Sequence, residues 1–211
     1  SGQLAPFEWE RLMSRIEILR NAPIYIDDTP SLSVFELRTK ARRLVREHGI
    51  KIIIIDYLQL MNASGMSFGS REQEVSTISR SLKQLAKELQ IPIIALSQLN
   101  RSVESRGNDK DGKEGKRPQL SDLRESGAIE QDADMVCFIH RPEYYTRSKE
   151  DANGNSIEGL AEFIIAKHRS GATDTVNMKF VSYLARFQNY DEDTRLTDFS
   201  APVTSKLNTP D

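Results

Sequence analysis

Four consecutive isoleucines, Ile52 to Ile55, constrain the fold of this chain more than any other feature, because the run ends abruptly in Asp56. A continuous β-branched run bounded by polar residues predicts a strand that is buried on both faces, as in a parallel sheet. Asp56 would then lie at the carboxyl edge of the sheet, where α/β proteins bind ligands and phosphate-handling proteins order a magnesium shell. The alternative is that Asp56 caps the next segment or begins a turn.

Amphipathic patterns around this run predict three helices. The first is Pro6–Arg20, in which proline suits the first turn and the apolar residues share one face. Capping boxes predict the starts of the other two helices, at Ser33 with Glu36 and at Ser70 with Gln73. The helix at Ser33 lies between the apolar run Ile24–Ile26 and the isoleucine run, so strand, helix and strand in succession predict a βαβ unit.

Shorter apolar runs predict the remaining strands. Ile24–Ile26 and Ile91–Leu96 are interpreted as buried strands, and Met135–Ile139 as another. Ala161–Ala166 is followed by the alternating segment Thr175–Phe180, which predicts an antiparallel hairpin at the edge of the sheet. Because strands and helices alternate in the first half of the chain, we expect the sheet to be largely parallel.

Length, charge and cysteine content limit the class of protein. A chain of 211 residues suffices for one domain or slightly more, and a net charge of -2 confines any basic surface to a local patch. The single cysteine, Cys137, is interpreted as a small buried hydrophobe. We expect a soluble cytoplasmic protein, because no signal-peptide pattern and no membrane-spanning run occurs. The polar composition from Asp191 onward predicts a flexible tail.

Polar side chains lie at the carboxyl ends of several strands that are predicted to be parallel. Asp56 and Gln98 each end an apolar run, Lys167 and Arg169 follow another, and Arg124 lies in a loop before a strand. A magnesium carboxylate, an amide that senses a γ-phosphate and paired cations are parts of a nucleoside triphosphatase. The phosphate-binding pattern G-x-x-x-x-G-K-[ST] does not occur in the 211 residues. Each of these polar groups also has a purely structural interpretation, as a solvated side chain at a strand end.

Two further polar stretches have local explanations. Asp27 and Asp28 follow a predicted strand and are interpreted as turn formers. The segment from Asn100 to Gln119 contains six basic and four acidic residues with three glycines, which predicts a long loop. Such a loop is functional or disordered, and it can become ordered on a polyanion.

Four segments of the chain are distinctive, namely Ile55–Met61, Ala95–Leu99, Leu120–Asp134 and Ile165–Gly171. In these segments the chain resembles DnaB-type replicative DNA helicases. The resemblance extends in order from Ser1 to about Tyr190, and its longest segment is highly specific.

The resemblance implies a RecA-like motor domain over residues 1–190, followed by the tail at 191–211. It implies an α/β fold with a mostly parallel sheet flanked by helices, antiparallel edge strands near the carboxyl end, and the amino-terminal part of the core missing. In this family the Walker A loop would precede Ser1, so we expect a fragment of a helicase. Its implied cofactors are ATP and Mg²⁺, and its implied partners are single-stranded DNA, identical subunits of a hexamer, primase and a helicase loader, with no membrane.

The resemblance also implies roles for individual residues. Asp56 matches the Walker B aspartate, which holds magnesium through water, and Gln98 matches the residue that couples the γ-phosphate state to the DNA loops. Lys167 and Arg169 match the cations offered to the nucleotide of the neighbouring subunit, with Arg169 as the arginine finger. It implies no metal at the acids between Glu130 and Asp134. The loop that tracks DNA phosphates matches Arg124, Glu125 and Gly127.

Two other functions remain open from the sequence. The chain is alternatively part of a RecA or RadA-type recombination ATPase, which the segment Leu120–Asp134 disfavours. It is otherwise a non-catalytic module that binds DNA or protein partners, which the absence of the phosphate-binding pattern favours for the 211 residues alone.

We expect the purified 211-residue chain to show no appreciable ATPase activity, because it lacks the pattern whose backbone N–H groups and lysine hold the phosphates. The measurement is phosphate release from Mg²⁺-ATP, with Asp56→Ala as the matched variant. Robust turnover by the unmodified chain that Asp56→Ala abolishes would contradict this expectation.

Overall fold

The computed structural model of the chain describes residues 4–106, 116–123, 127–145, 150, 154 and 156–190. The chain divides into two compact units, residues 1–98 and 99–211, which are described in turn. The helices are α1 (Pro6–Arg20), α2 (Val34–His48), α3 (Arg71–Leu89), α4 (Ser102–Ser105), α5 (Gly127–Asp132) and α6 (Pro142–Tyr145). The strands are β1 (Ile53–Ile55), β2 (Ile93–Ala95), β3 (Met135–His140), β4 (Leu160–His168), β5 (Asp174–Val181) and β6 (Arg186–Asn189).

The three helices expected in the first unit are confirmed, and so are the serine caps of α2 and α3. The Ser33 side chain accepts a hydrogen bond from the Glu36 N–H at 3.1 Å, and the Ser70 side chain accepts one from the Gln73 N–H at 3.3 Å. Gly49 ends α2 in the left-handed conformation, with φ of 62°. The apolar residues of α2 and α3 form most of the first core, whose buried side chains are Val34, Ala41, Leu58, Met61, Ala63, Val75, Ile78, Leu82, Leu85 and Ile91.

Strands β1 and β2 pair in parallel, with Ile53 opposite Ile93 and Ile55 opposite Ala95. Helix α3 is the crossover between them, so β1, α3 and β2 form a βαβ unit. The unit predicted from the sequence, from Ile24–Ile26 through α2 to the isoleucine run, is not formed within the described residues. The expected burial of both faces is wrong, since Ile54 is 64% exposed and Ile94 is 48% exposed. Successive strand residues point to opposite faces, and the described part of the chain covers only one face of this pair.

The segment Ile24–Ile26 is extended, but it joins no strand ladder within the described ranges. Ile26 is 88% exposed, so the expectation of a buried strand here is wrong. Helix α1 likewise buries none of its residues, although the helix itself is formed as expected. A β-strand needs a hydrogen-bonded neighbour and a covering layer, and neither requirement is visible in the local sequence.

The second unit is built on an antiparallel sheet with the strand order β3-β4-β5-β6. Strands β4 and β5 form the expected hairpin, with Phe163 opposite Val176. Strand β4 is antiparallel to both of its neighbours, so the expectation that Lys167 lies at the end of a parallel strand is wrong. The core of this unit consists of Val136, Phe138 and Ile164, packed against Leu99, Leu120, Leu123, Ala133 and Ala166.

Cys137 is exposed, so its interpretation as a buried residue is wrong. Residues of β3 alternate between faces, and Val136 and Phe138 take the covered face. The expected tail at residues 191–211 lies outside the described residues. Within those residues, no helix has both the length and the apolarity that crossing a bilayer requires.

The interpretation of Asp27 as a turn former is confirmed. Its carboxylate accepts hydrogen bonds from the Thr29 N–H at 3.1 Å and from the Thr29 hydroxyl at 2.6 Å. Lys40 on α2 donates to the same carboxylate and lies 2.7 Å from its second oxygen. These hydrogen bonds, that of Lys40 first, lower the pKa of Asp27 to about 2.

We expect Lys40→Met to raise the pKa of Asp27 towards its ordinary value of 3.8, because the largest stabilising hydrogen bond is lost. A carboxyl whose pKa is lower in the folded chain stabilises the fold above its unfolded pKa, and this stabilisation is lost as the pH falls towards 2. An NMR titration of the Asp27 carboxyl carbon measures the change. Lys51→Met, which alters an exposed lysine outside this turn, is the control; an unchanged Asp27 pKa in Lys40→Met would contradict the assignment.

Candidate functional site

The structure brings Asp56 and Gln98 to the same end of the parallel strand pair. Asp56 follows β1 directly and is exposed, and Gln98 lies three residues beyond β2 and is also exposed. The strand ends remain joined past the ladder, since the Leu96 N–H donates to the Ile55 carbonyl at 2.9 Å. The Leu58 N–H then donates back to the Leu96 carbonyl at 2.8 Å. The two polar side chains predicted from the sequence are therefore carried by hydrogen-bonded segments.

Gln59 connects these two segments and was missed by the sequence analysis. Its side-chain amide donates to the Ser97 hydroxyl at 2.9 Å and to the Gln98 carbonyl at 3.4 Å. Its side-chain oxygen accepts a hydrogen bond from the Gln98 N–H at 3.3 Å. The sequence signal was a polar residue between Leu58 and Leu60, in a segment that is otherwise apolar after Asp56.

Arg71, at the start of α3, holds the turn that carries Gln59. Its guanidinium donates to the main-chain carbonyls of Gln59 at 2.8 Å and Met61 at 3.2 Å. Glu74 pairs with the same guanidinium at 2.5 Å and accepts a hydrogen bond from the Ala63 N–H at 3.0 Å. These contacts lower the pKa of Glu74, the hydrogen bond from Ala63 most of all. The turn after Asp56 is thus bound to α3 through its carbonyls by Arg71 and through the Ala63 N–H by Glu74.

In the second unit, Lys167 and Arg169 both contact the carboxyl-terminal end of α5. The Lys167 ammonium donates to the Glu130 carbonyl and lies 3.5 Å from the Gln131 carbonyl. The Arg169 guanidinium donates to the Gln131 carbonyl at 2.9 Å and lies 3.7 Å from the Asp134 carboxylate. Cations at this end of a helix interact favourably with its dipole and with its unpaired carbonyls. The two predicted cations are therefore brought together, against α5.

The predicted DNA loop is only partly described. Arg124 and Glu125 lie outside the described residues, whereas Gly127 is exposed as the first residue of α5. The segment before the loop is anchored by Asp122, which is 4% exposed. Its carboxylate accepts a hydrogen bond from the Gln119 N–H at 2.7 Å and pairs with Arg106.

A partly buried ion pair lies where the predicted long loop returns to the sheet. Arg117 donates to the Glu162 carboxylate at 3.2 Å and to the Thr175 hydroxyl at 2.7 Å. His140, which is buried, lies 2.8 Å from the same carboxylate. The contact with His140 and then that with Arg117 lower the pKa of Glu162. Arg117 therefore has a structural partner in Glu162. In the described part of the chain, no group of three or more acidic, histidine or cysteine side chains is placed to bind a metal ion.

A nucleotide complexed with Mg²⁺ fits the residues at the end of the parallel pair. Asp56 offers an exposed carboxylate oxygen, the ligand type that Mg²⁺ prefers, usually with water completing the shell. Gln98 offers an exposed amide on the neighbouring strand end, and a primary amide both donates and accepts hydrogen bonds.

Comparisons with known proteins agree on one family. A family model described as the DnaB-like helicase C terminal domain matches residues 1–189. The replicative DNA helicase DnaB of Geobacillus stearothermophilus is 50% identical over 189 residues, and the replicative DNA helicase DnaC of Bacillus subtilis (strain 168) is 47% identical over 202 residues. These alignments take in 90% and 96% of the chain. They cover 39% and 41% of the two relatives, so the chain spans about two fifths of their length.

Two solved structures are similar to the fold. One, described as an ATPase domain, superimposes with a TM-score of 0.75 at 40% identity, over 89% of this chain and 62% of that chain. A DnaB-like replicative helicase, described with its interactions with primase, gives a TM-score of 0.75 at 41% identity, over 89% of this chain and 42% of that chain. These similarities confirm the predicted RecA-like α/β fold class and the resemblance noted in the sequence. The chain belongs to the DnaB-like helicase C-terminal domain family.

Proposed function

We propose that this chain is part of an ATP-dependent replicative DNA helicase, which acts as a homo-hexamer on single-stranded DNA and unwinds duplex DNA at the replication fork. The observation that carries the proposal is the placement of Asp56 and Gln98 at one end of a parallel strand pair, in a chain of this family. A carboxylate and a polar amide at such an edge are two of the groups that a nucleotide-driven motor requires.

ATP with Mg²⁺ supplies the phosphoanhydride bond whose hydrolysis drives the motor. Asp56 is assigned to hold the magnesium shell through water, and its exposure leaves the carboxylate accessible for that role. Gln98 is assigned to hydrogen-bond the γ-phosphate and to report its loss. The hydrogen bonds that tie Gln98 to the segment after Asp56 support this pairing of roles.

Lys167 and Arg169 are assigned to the nucleotide of the neighbouring subunit, with Arg169 as the arginine finger. Both cations follow the last paired residue of β4 in its ladder with β5, Ile165, and both lie on the carbonyls of α5. The backbone carbonyls are neutral partners and the Asp134 carboxylate near Arg169 carries one charge, whereas a triphosphate carries several negative charges. A nucleotide at the subunit boundary therefore competes favourably for these cations.

Arg124, Glu125 and Gly127 are assigned to the DNA path, in which Arg124 contacts a phosphate and Gly127 leaves its N–H sterically open. The space around Gly127 supports this, since an added Cβ there would meet no described atom within 4 Å, apart from its chain neighbours and the backbone of its own helix. Helix α5 begins at Gly127 and ends beside the two cations, so one short element connects both groups of residues.

The remaining assignments follow the family. We assign residues 1–190 to a partial motor domain and 191–211 to a tail, and we place the protein in the cytoplasm. Primase is proposed as a partner because the similar solved helicase is described with its interactions with primase. A helicase loader is proposed as a further partner.

We expect Arg169→Ala, in the full-length protein that carries this chain, to keep ATP binding and to lose hydrolysis by about 10³–10⁵-fold, the range for arginine fingers. Mixing this variant with one that lacks a functional phosphate-binding loop should restore part of the activity, because some mixed interfaces then contain both groups. The measurements are nucleotide binding and steady-state ATPase rates. Arg80→Ala, an exposed arginine on α3, is the control, and hydrolysis by Arg169→Ala at the unmodified rate would exclude the assignment.

We expect Arg124→Ala in the hexameric protein to weaken single-stranded DNA binding for all sequences alike. Each phosphate contact contributes roughly 0.7 to the slope of log affinity against log salt, so the magnitude of that slope should fall. Basal ATPase should stay largely intact, and its stimulation by DNA should be blunted. A salt titration of DNA affinity measures the change, with Arg43→Ala on the exposed face of α2 as the control. An unchanged slope and affinity would remove Arg124 from the DNA path.

A further inference from the structure

Gln59 occupies the position between the two strand ends of the first unit. Its backbone belongs to the turn that follows Asp56, and its side chain reaches the segment that follows β2. One primary amide contacts both polar groups of Gln98's main chain, the carbonyl at 3.4 Å and the N–H at 3.3 Å. The same amide donates to Ser97 at 2.9 Å.

These contacts depend on amide chemistry. A primary amide carries a donor group and an acceptor group on one carbon, so it can satisfy the N–H and the carbonyl of the same residue. A side chain of equal length without polar hydrogen-bonding groups fills the space but makes neither bond. A carboxylate keeps the acceptor and loses the donor, so it separates the two contacts experimentally.

The other end of Gln59 is fixed independently. Arg71 donates to the Gln59 carbonyl at 2.8 Å, and the Met61 N–H closes the turn on the Leu58 carbonyl at 3.0 Å. The side chain of Gln59 therefore extends from a backbone that is held by α3. Gln98 is exposed and lies beyond the ladder of β2, so the Gln59 amide supplies contacts that the sheet does not.

We propose that Gln59 is a positioning residue that holds the main chain of Gln98 in register with the strand end carrying Asp56. The Gln98 side chain then contacts the γ-phosphate from a defined direction. A displacement of Gln98 on hydrolysis is therefore transmitted to the DNA loops and is not lost as local motion of the segment. This inference rests on the proposed function, in which Asp56 holds magnesium and Gln98 senses the nucleotide. Gln59 touches neither nucleotide nor DNA in this scheme.

The first measurement is amide exchange in the full-length protein, followed by mass spectrometry of peptides that span Ser97 and Gln98. Gln59→Met keeps the side-chain length and removes both polar groups, and Gln59→Glu keeps the acceptor for the Gln98 N–H. Gln84→Met, at an exposed position of α3, is the matched control. We expect exchange at Gln98 to accelerate about fivefold in Gln59→Met, the effect of losing one neutral hydrogen bond, and to change less in Gln59→Glu.

The second measurement is the ATPase rate of the same proteins with and without single-stranded DNA. We expect Gln59→Met to keep the KM for ATP and the basal rate, and to lose about fivefold of the DNA stimulation. Gln59→Glu should retain more of the stimulation than Gln59→Met, and Gln84→Met should retain all of it. A purely structural role would lower stability without separating basal from DNA-stimulated rates, so thermal unfolding is recorded for every variant.

Two results would overturn the proposal. Unchanged exchange at Gln98 in Gln59→Met would show that the amide does not hold this segment. Accelerated exchange with full DNA stimulation would show that the contact exists and has no part in coupling. Failure of the proposed function is recognised separately, because the unmodified protein would then show no DNA-stimulated hydrolysis while the exchange measurement still reports the contact.

Discussion

The candidate nucleotide site depends on the parallel pairing of β1 with β2. In a parallel pair both strands end at the same edge, which places Asp56 and Gln98 on neighbouring segments. Parallel neighbours require a long crossover, and α3 provides it while burying its apolar stripe in the first core. The turn after Asp56 is then tied to the segment after β2 by the Gln59 amide and to α3 by Arg71. The turn that carries Gln59 beside the strand ends is thus held by α3, the same helix that makes the parallel pairing possible.

The second unit connects its predicted functional groups through a helix of six residues, α5. A helix of this length is unstable alone, because nucleation costs more than a few intrahelical hydrogen bonds return. Lys167 and Arg169 donate to the carbonyls of Glu130 and Gln131 and so complete the end of the helix. The position of Gly127, at the other end, therefore depends on where these cations lie. In the proposed function, this arrangement gives a physical route by which a nucleotide that binds the two cations would affect the proposed DNA loop.

Several features were predicted correctly because their causes lie close together in the chain. The capping serines and their partners are three residues apart, and the Asp27 turn involves a residue two positions away. The apolar stripe of α3 repeats every three or four residues, so the buried set from Val75 to Leu85 follows from periodicity. The alternation of Thr175–Phe180 likewise predicted the β4–β5 hairpin, whose strands are near neighbours in the sequence.

The sequence by itself determined the three long helices α1, α2 and α3, the serine caps of the last two, the Asp27 turn, the hairpin and the family to which the chain belongs. Only the tertiary structure decided which apolar residues are covered, since Ile26, Ile54 and Cys137 are exposed despite apolar surroundings in the sequence. It also decided that β4 is antiparallel to both neighbours, that Gln59 reaches Gln98, and that Lys167 lies on α5. The last two contacts join residues that are 39 and 37 positions apart, and the others involve whole layers of structure. Burial and strand pairing depend on which surfaces of the folded chain meet. A local pattern of residues does not specify which distant segment will pack against it.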